Sequence, residues 1–259
     1  MGELLNLKDK IKKYYKFSPS EINGLIISIL VLAFIVSFRE WGRGDQINLG
    51  LGLFNLFNAV LLVTLTMLVR ESAHRIVALH IGLRAEYKMW TWGLLLGLVF
   101  AFISNGQIWM LLPGGILVHH MAGHRLGWFR YGLGYFPMGI ISLFAPIANI
   151  LLVIIFKIIN HSINSPLIDK IIVLNIALAV WTMLPIPPMD GCRIFFASRL
   201  LYIFSFFSII AASALLHPYF NINVWLAVIG AILIGVLGWL IYYLFLERFL
   251  WQGPAAKMK

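Results

Sequence analysis

The sequence has little charge and almost no cysteine. Charged residues make up 12% of the 259 positions, and Cys192 is the single cysteine. One cysteine excludes an intramolecular disulfide framework. Hydrophobic residues make up 61% of the chain, and the mean hydropathy is +0.91. No stretch is polar enough to form a soluble domain, so the composition is typical of a polytopic membrane protein.

Acidic residues are also scarce, and the excess of basic residues gives a net charge of +10. In a soluble protein this charge would suggest nucleic acid as a partner. Here the basic residues lie at the ends of apolar segments, which is the pattern that sets membrane topology. The sequence therefore predicts the lipid bilayer as a partner and excludes nucleic acid.

Six apolar runs account for about half of the chain, and they predict an all-α polytopic membrane protein with about six transmembrane helices. Their charged flanks place both termini in the cytoplasm and indicate a multi-pass protein of the cell membrane. The predicted spans are Ile22–Phe38, Leu49–Leu79, Gly132–Ile159, Lys170–Met183, Leu200–Leu216 and Val224–Phe245.

A short re-entrant or β-hairpin region is expected between the second and third spans. Residues 92–104 are apolar but too few to cross a bilayer. Residues 107–118 contain Pro113, Gly114 and Gly115 between β-prone runs, which favours an edge strand. The expected division is a cytoplasmic segment over residues 1–20, a transmembrane domain over residues 21–250 with its core at 49–199, and a cytoplasmic tail over residues 251–259.

Two stretches place ionisable residues within apolar runs, where a charge usually indicates function. The first holds Arg70, Glu71 and His74 near the inner end of the second span. It resembles the H-E-x-x-H zinc motif, in which two histidines on one helical face bind the metal beside a catalytic glutamate. The second runs from Leu184 to Gly191, with three prolines before Asp190. Those prolines force an extended path that is expected to line a cavity.

Together the two stretches resemble the site-2 protease family of intramembrane zinc metalloproteases. The resemblance covers residues 55–199 and implies a catalytic role for Glu71 and metal ligation by His74 and Asp190. Ala145–Asn149 is similar to the A-G-P-x-x-N run of the family, which implies a substrate-binding role for Asn149. An edge strand in such a protein would pair with an unwound substrate.

Two positions depart from the family pattern. Arg70 occupies the place of the first histidine, and its guanidinium has no lone pair to give to a metal. Thr182, eight residues before Asp190, stands where the family has an asparagine near the substrate carbonyl. We therefore expect Arg70 to form an ion pair with Asp190 in place of the metal.

These features predict a site-2-protease-like protein with an impaired zinc site, which binds transmembrane segments of partner proteins without cutting them. One alternative is an active zinc-dependent intramembrane metalloendopeptidase, for which zinc is the cofactor; the pseudoprotease needs none. A second alternative is a small transporter or channel. A histidine cluster, His119, His120 and His124, is either an interfacial patch or the source of a missing ligand.

Overall fold

The computed structural model describes residues 2–43, 46–120, 133–220 and 222–247 of the chain, and within these ranges it is predominantly helical. Helices form because the apolar runs are long and because backbone groups in lipid must be bonded within the segment. The helices are α1 (Gly2–Tyr14), α2 (Pro19–Ser37), α3 (Leu49–Ile81), α4 (Thr91–Ile103), α5 (Tyr135–Ile163), α6 (Pro166–Thr182), α7 (Asp190–Ala197), α8 (Arg199–Leu215) and α9 (Val224–Tyr242).

Within the described ranges, four helices are long and apolar enough to cross a membrane: α2 with its 3₁₀ extension to Glu40, α3, α5, and α9 with its π-helical extension to Glu247. The chain is therefore a multi-pass membrane protein. Helices α6 and α8 coincide with the two remaining predicted spans and have 17 residues each. The total of about six spans stays a prediction.

Local sequence signals explain where several helices begin and end. Ser18 and Glu21 form a capping box at the start of α2. Gly82 ends α3 in a left-handed conformation with φ of 92°, which glycine adopts without strain.

The connection between α5 and α6 is shorter than the loop of residues 160–169 that the polarity of this stretch predicts. Asn164 ends α5 with φ of 50°, and Pro166 opens α6.

In the part of the chain that the structure describes, the strands form two small antiparallel sheets. Strands β1 (Gly42–Arg43) and β2 (Gln46–Ile47) pair between α2 and α3. Strands β3 (Leu83–Met89) and β4 (Gly114–His120) pair with Leu83 opposite His120 and Met89 opposite Gly114. The 13-residue apolar helix α4 lies between β3 and β4 in the chain. Strand β4 therefore begins near the end of residues 107–118, the region predicted to be extended, and it pairs with β3.

A buried polar cluster fixes the N-terminal segment against α3. Arg75 forms an ion pair with Glu21, and both side chains are at most 4% exposed. Arg75 also donates a hydrogen bond of 2.7 Å to the carbonyl of Lys16, and its guanidinium carbon lies 3.7 Å from the centre of the Phe17 ring. Glu21 accepts a further hydrogen bond from the backbone N–H of Tyr87. This cluster joins α2, α3 and β3 next to the polar end of α3.

Candidate functional site

The candidate site lies between α3 and the start of α7. Residues 70 and 74 are one helical turn apart, so their side chains project from the same face of α3. Asp190 is the first residue of α7 and follows the proline-rich turn after α6. Arg70 and Asp190 have no exposed surface, and Glu71 and His74 are at most 2% exposed. The fold thus brings together charged groups that lie 120 residues apart in the chain.

Arg70 occupies the centre of this cluster. Its Nη2 atom donates to Asp190 Oδ2 in an ion pair, and Nη1 donates to Thr182 Oγ1 at 3.1 Å. Its Nε atom lies 3.5 Å from Glu71 Oε1, outside hydrogen-bond geometry. The guanidinium therefore connects α3 to both α6 and α7.

His74 lies between the two carboxylates. Its Nδ1 atom is 3.4 Å from Glu71 Oε2, and its Nε2 atom is 3.3 Å from Asp190 Oδ1. The second approach lacks hydrogen-bond geometry, so both His74 Nε2 and Asp190 Oδ1 are without a partner among the described residues. Glu71, His74 and Asp190 thus stand side by side, with the positive charge of Arg70 in contact with both acids.

Thr182 takes part in the site through its hydroxyl group. The hydroxyl donates to the carbonyl of Leu178 at 2.7 Å, which leaves its oxygen free to accept from Arg70. An asparagine amide at this position could donate toward a substrate carbonyl, whereas this hydroxyl proton is already used. Thr182 therefore orients Arg70 in this structure.

Asn149 is fully buried on α5, which packs against both α3 and α7. Neither its amide nitrogen nor its amide oxygen has a hydrogen-bond partner among the described residues, and the same holds for the hydroxyl of Ser142 on the same helix. Buried polar groups without partners are costly. Asn149 thus presents an amide nitrogen that can donate and an amide oxygen that can accept, and a bound group could satisfy both.

The histidine cluster is only partly described. His119 and His120 are the last residues of β4, and they lie opposite Arg84 and Leu83 on alternate faces of the sheet. His124 lies outside the described residues. In the described part of the chain, no group of three or more His, Cys, Asp or Glu side chains is arranged to hold a metal ion. Neither His119 nor His120 therefore joins His74 and Asp190 as a third ligand.

Arg193 is a residue near the site for which sequence reasoning predicted no role. It projects from α7, and its Nη2 atom donates to the carbonyl of Ile116 on β4. Tyr87 lies opposite Ile116 in the sheet, and the N–H of Tyr87 points away from β4 toward Glu21. The two residues therefore exchange no backbone hydrogen bonds, and the N–H and carbonyl of Ile116 point to the outer edge of the sheet. Arg193 therefore binds the free edge of β4. The only feature of the sequence that indicates a role for Arg193 at this site is its position one helical turn after Asp190.

The residues of this cluster do not fit a catalytic zinc ion. Such a site normally has three protein ligands and one open position. Here Arg70 stands on α3 at the position where a third ligand is needed. Its guanidinium cannot coordinate a cation, and it already binds one of the two acids. A dication about 4 Å from this charge would be repelled by about 8 kcal/mol at an effective dielectric constant near 20.

Comparison with known proteins identifies one similarity of substantial extent. The chain is 28% identical over 185 residues to a protein of Methanocaldococcus jannaschii named a "putative zinc metalloprotease". The matched region covers 70% of this chain and 85% of that protein. No protein-family model matches the chain, and no solved structure matches it. The similarity supports a site-2-protease-like protein, the family that the sequence motifs resemble.

Proposed function

We propose that this chain is a pseudoprotease: a site-2-protease-like membrane protein in which Arg70 takes the place of the metal, and which binds transmembrane segments of other proteins without cutting them. The observation that carries the proposal is the fully buried guanidinium of Arg70 between Asp190 and Thr182. It forms an ion pair with Asp190 Oδ2 and lies between the two helices that supply His74 and Asp190.

The proposed role of Arg70 is to hold α3 and α7 together. A buried carboxylate without a partner is strongly destabilising, and a guanidinium provides both charge and directed hydrogen bonds. The net stability of such a pair is small after desolvation. Its contribution is therefore to fix the relative position of the two helices.

The proposed binding of partner segments rests on polar groups that face the interior. A transmembrane helix that unwinds in lipid must find new partners for its backbone. The amide nitrogen and the amide oxygen of Asn149 are buried without a partner among the described residues. This amide group favours an extended segment of a membrane protein as the bound partner. In this proposal both termini face the cytoplasm.

Metal analysis of the purified protein tests the loss of the zinc site. We expect the natural chain and Arg70→Lys to hold no stoichiometric zinc, because both keep a cation at this position. Arg70→His should bind zinc, since it restores a neutral nitrogen ligand one turn from His74. Stoichiometric zinc in the natural chain that disappears in His74→Ala would refute the proposal.

Peptide binding tests the second part. We expect a labelled transmembrane peptide with a helix-breaking Gly-Pro pair to bind the protein in nanodiscs and to remain intact. Asn149→Leu should weaken this binding, because it removes the unpartnered amide. Ser208→Ala on α8 is the control, since it removes a different buried polar group, a hydroxyl that also lacks a partner in the described ranges. Equal weakening by both variants, or cleavage of the peptide, would contradict the proposal.

The second candidate function is an active zinc endopeptidase. It is favoured by the retention of Glu71 and His74 and by the name of the similar archaeal protein. In that function Glu71 would be the general base and His74 and Asp190 the ligands. It requires Arg70 to leave the site and another group to complete the ligands. The metal analysis described above separates the two functions.

A further inference from the structure

A cavity lies away from the site, between α2 and α6. It has a volume of about 760 Å³ and is open at the surface of the helix bundle. The 3₁₀ extension of α2 and the loop of residues 106–109 after α4 border its outer end. This end is opposite to the end of the molecule that carries α1. The cavity is therefore a cleft in the leaflet opposite α1.

One wall of the cleft is a stripe of apolar residues on α6. Val173, Ala177 and Trp181 line it, and their spacing of four residues places them on one face of the helix. All three are partly exposed along the cleft. From Lys170, which marks the outer end, to Trp181 the helix rises about 16 Å. The wall is thus long, narrow and without charge.

The rim of the cleft carries a cation. Arg39 is exposed and lines the cleft together with Glu40 and Gln107. The Glu40 carboxylate is paired with Lys170 at 2.5 Å, so its charge is already compensated. Among the described residues no carboxylate lies within salt-bridge distance of Arg39. The described residues therefore give the rim of the cleft a net positive charge.

Size favours a lipid over a polypeptide helix as the occupant. A helix with its side chains is about 10–12 Å across, so about 760 Å³ would hold only about five or six residues. A span needs roughly 20 residues. An acyl chain is much narrower, and an apolar cleft with one polar end matches a lipid tail with its headgroup at the membrane surface.

We infer that this cleft binds one anionic phospholipid, with an acyl chain along the α6 stripe and the phosphate at Arg39. This site is separate from the Arg70 cluster and does not depend on the function proposed for that cluster. Its inner end at Trp181 adjoins Thr182, which accepts a hydrogen bond from Arg70. A bound chain would therefore pack one residue away from the charged site.

Lipid retention by the full-length protein tests the inference. The protein is transferred from nanodiscs of equal phosphatidylglycerol and phosphatidylcholine into detergent, and the bound lipid is counted by native mass spectrometry. We expect one phosphatidylglycerol per protein. Ala177→Trp should abolish retention by filling the cleft. Arg39→Gln should lower the retention of phosphatidylglycerol about tenfold, the ratio for one lost charge-assisted hydrogen bond to its phosphate.

Two control variants separate the cleft from general effects on the surface. Ala214→Trp adds the same side chain at an exposed position on α8, and Arg199→Gln removes an exposed arginine at the start of α8. Both should retain lipid as the natural chain does. If Ala177→Trp or Arg39→Gln retained as much phosphatidylglycerol as the natural chain, the inference would be overturned.

A photoreactive residue identifies the occupant directly. Benzoylphenylalanine in place of Val173 should form adducts with the mass of a phospholipid after irradiation in native membranes. Adducts with a polypeptide and none with lipid would overturn the inference, because they would show that the cleft receives a protein segment. Unaltered thermal unfolding of each variant shows that the fold is retained.

Discussion

Arg70 donates a hydrogen bond to Asp190 from α3 to α7, and neither residue has any exposed surface. The same guanidinium reaches Thr182 at the end of α6. One side chain therefore links three helices, and the first prediction concerns its removal.

Removal of either partner alone should strongly destabilise the protein. Arg70→Met leaves Asp190 buried without its cation, and we expect a loss of about 3–5 kcal/mol in the free energy of unfolding. Asp190→Leu should cost a similar amount. The double variant Arg70→Met, Asp190→Leu should recover most of the stability, because no uncompensated charge remains from the pair.

Unfolding by steric trapping in bicelles measures all three variants. The two single losses exceed the loss in the double variant if the residues act as a pair. A double variant as unstable as the sum of the single variants would show that the two side chains act independently.

The Glu21–Arg75 ion pair should hold the N-terminal segment in place. Arg75→Met removes the bonds to Glu21 and to the Lys16 carbonyl and the contact with the Phe17 ring. We expect trypsin to cleave faster after Lys12, Lys13 and Lys16 in this variant, because the segment detaches more often from α3. Arg199→Met, at an exposed arginine, is the control. Equal cleavage rates in both variants would contradict the prediction.

The hydroxyl of Tyr87 connects α2 to the loop before β4. It donates to the carbonyl of Pro113 at 2.7 Å and accepts from Ser28 at 2.7 Å, and these contacts are buried. Tyr87→Phe leaves both groups without a partner and should cost about 1–3 kcal/mol. Tyr219→Phe, at a residue that is 91% exposed, should not change stability. Equal stability of the two variants would exclude a structural role for the Tyr87 hydroxyl.

Gly191 lets the proline-rich turn approach the end of α6 closely. A Cβ atom at this position would overlap the backbone carbonyl of Met183, which cannot rotate away. We expect Gly191→Ala to lower the free energy of unfolding by about 1–3 kcal/mol and to shift Asp190. Gly50→Ala is a control at the start of α3, where the nearest atom is 3.5 Å away. It should be neutral or stabilising, because alanine favours helix by about 1 kcal/mol.

The positions of the helices along the chain could be predicted from the sequence, because a segment that crosses lipid must be apolar and must bond its own backbone groups. Apolar runs mark the helices, and Asn48, Pro166 and Gly82 mark their ends. The positions of Arg70 and Asp190 within those runs indicated that two charged groups need a partner. Their meeting at one place followed from the family resemblance, because hydropathy says nothing about which helices are neighbours.

Other contacts could not have been predicted, since they depend on the packing of distant segments. The partner of β4 is separated from it by the apolar helix α4, so no turn motif sets the register. Arg75 lies one residue after His74 and reads as an ordinary interfacial charge, whereas it is 4% exposed and bound to Glu21. Arg193 likewise gains its role only once β4 lies beside α7.

The cation that joins α3 to α7 is covalently part of the polypeptide. It is made by the ribosome with the rest of the chain, so assembly of this centre needs no supply of an inorganic ion. Chelators cannot extract it, and copper or nickel cannot displace it. The association of these helices should therefore be the same in cells starved of metals and in cells that have them in excess.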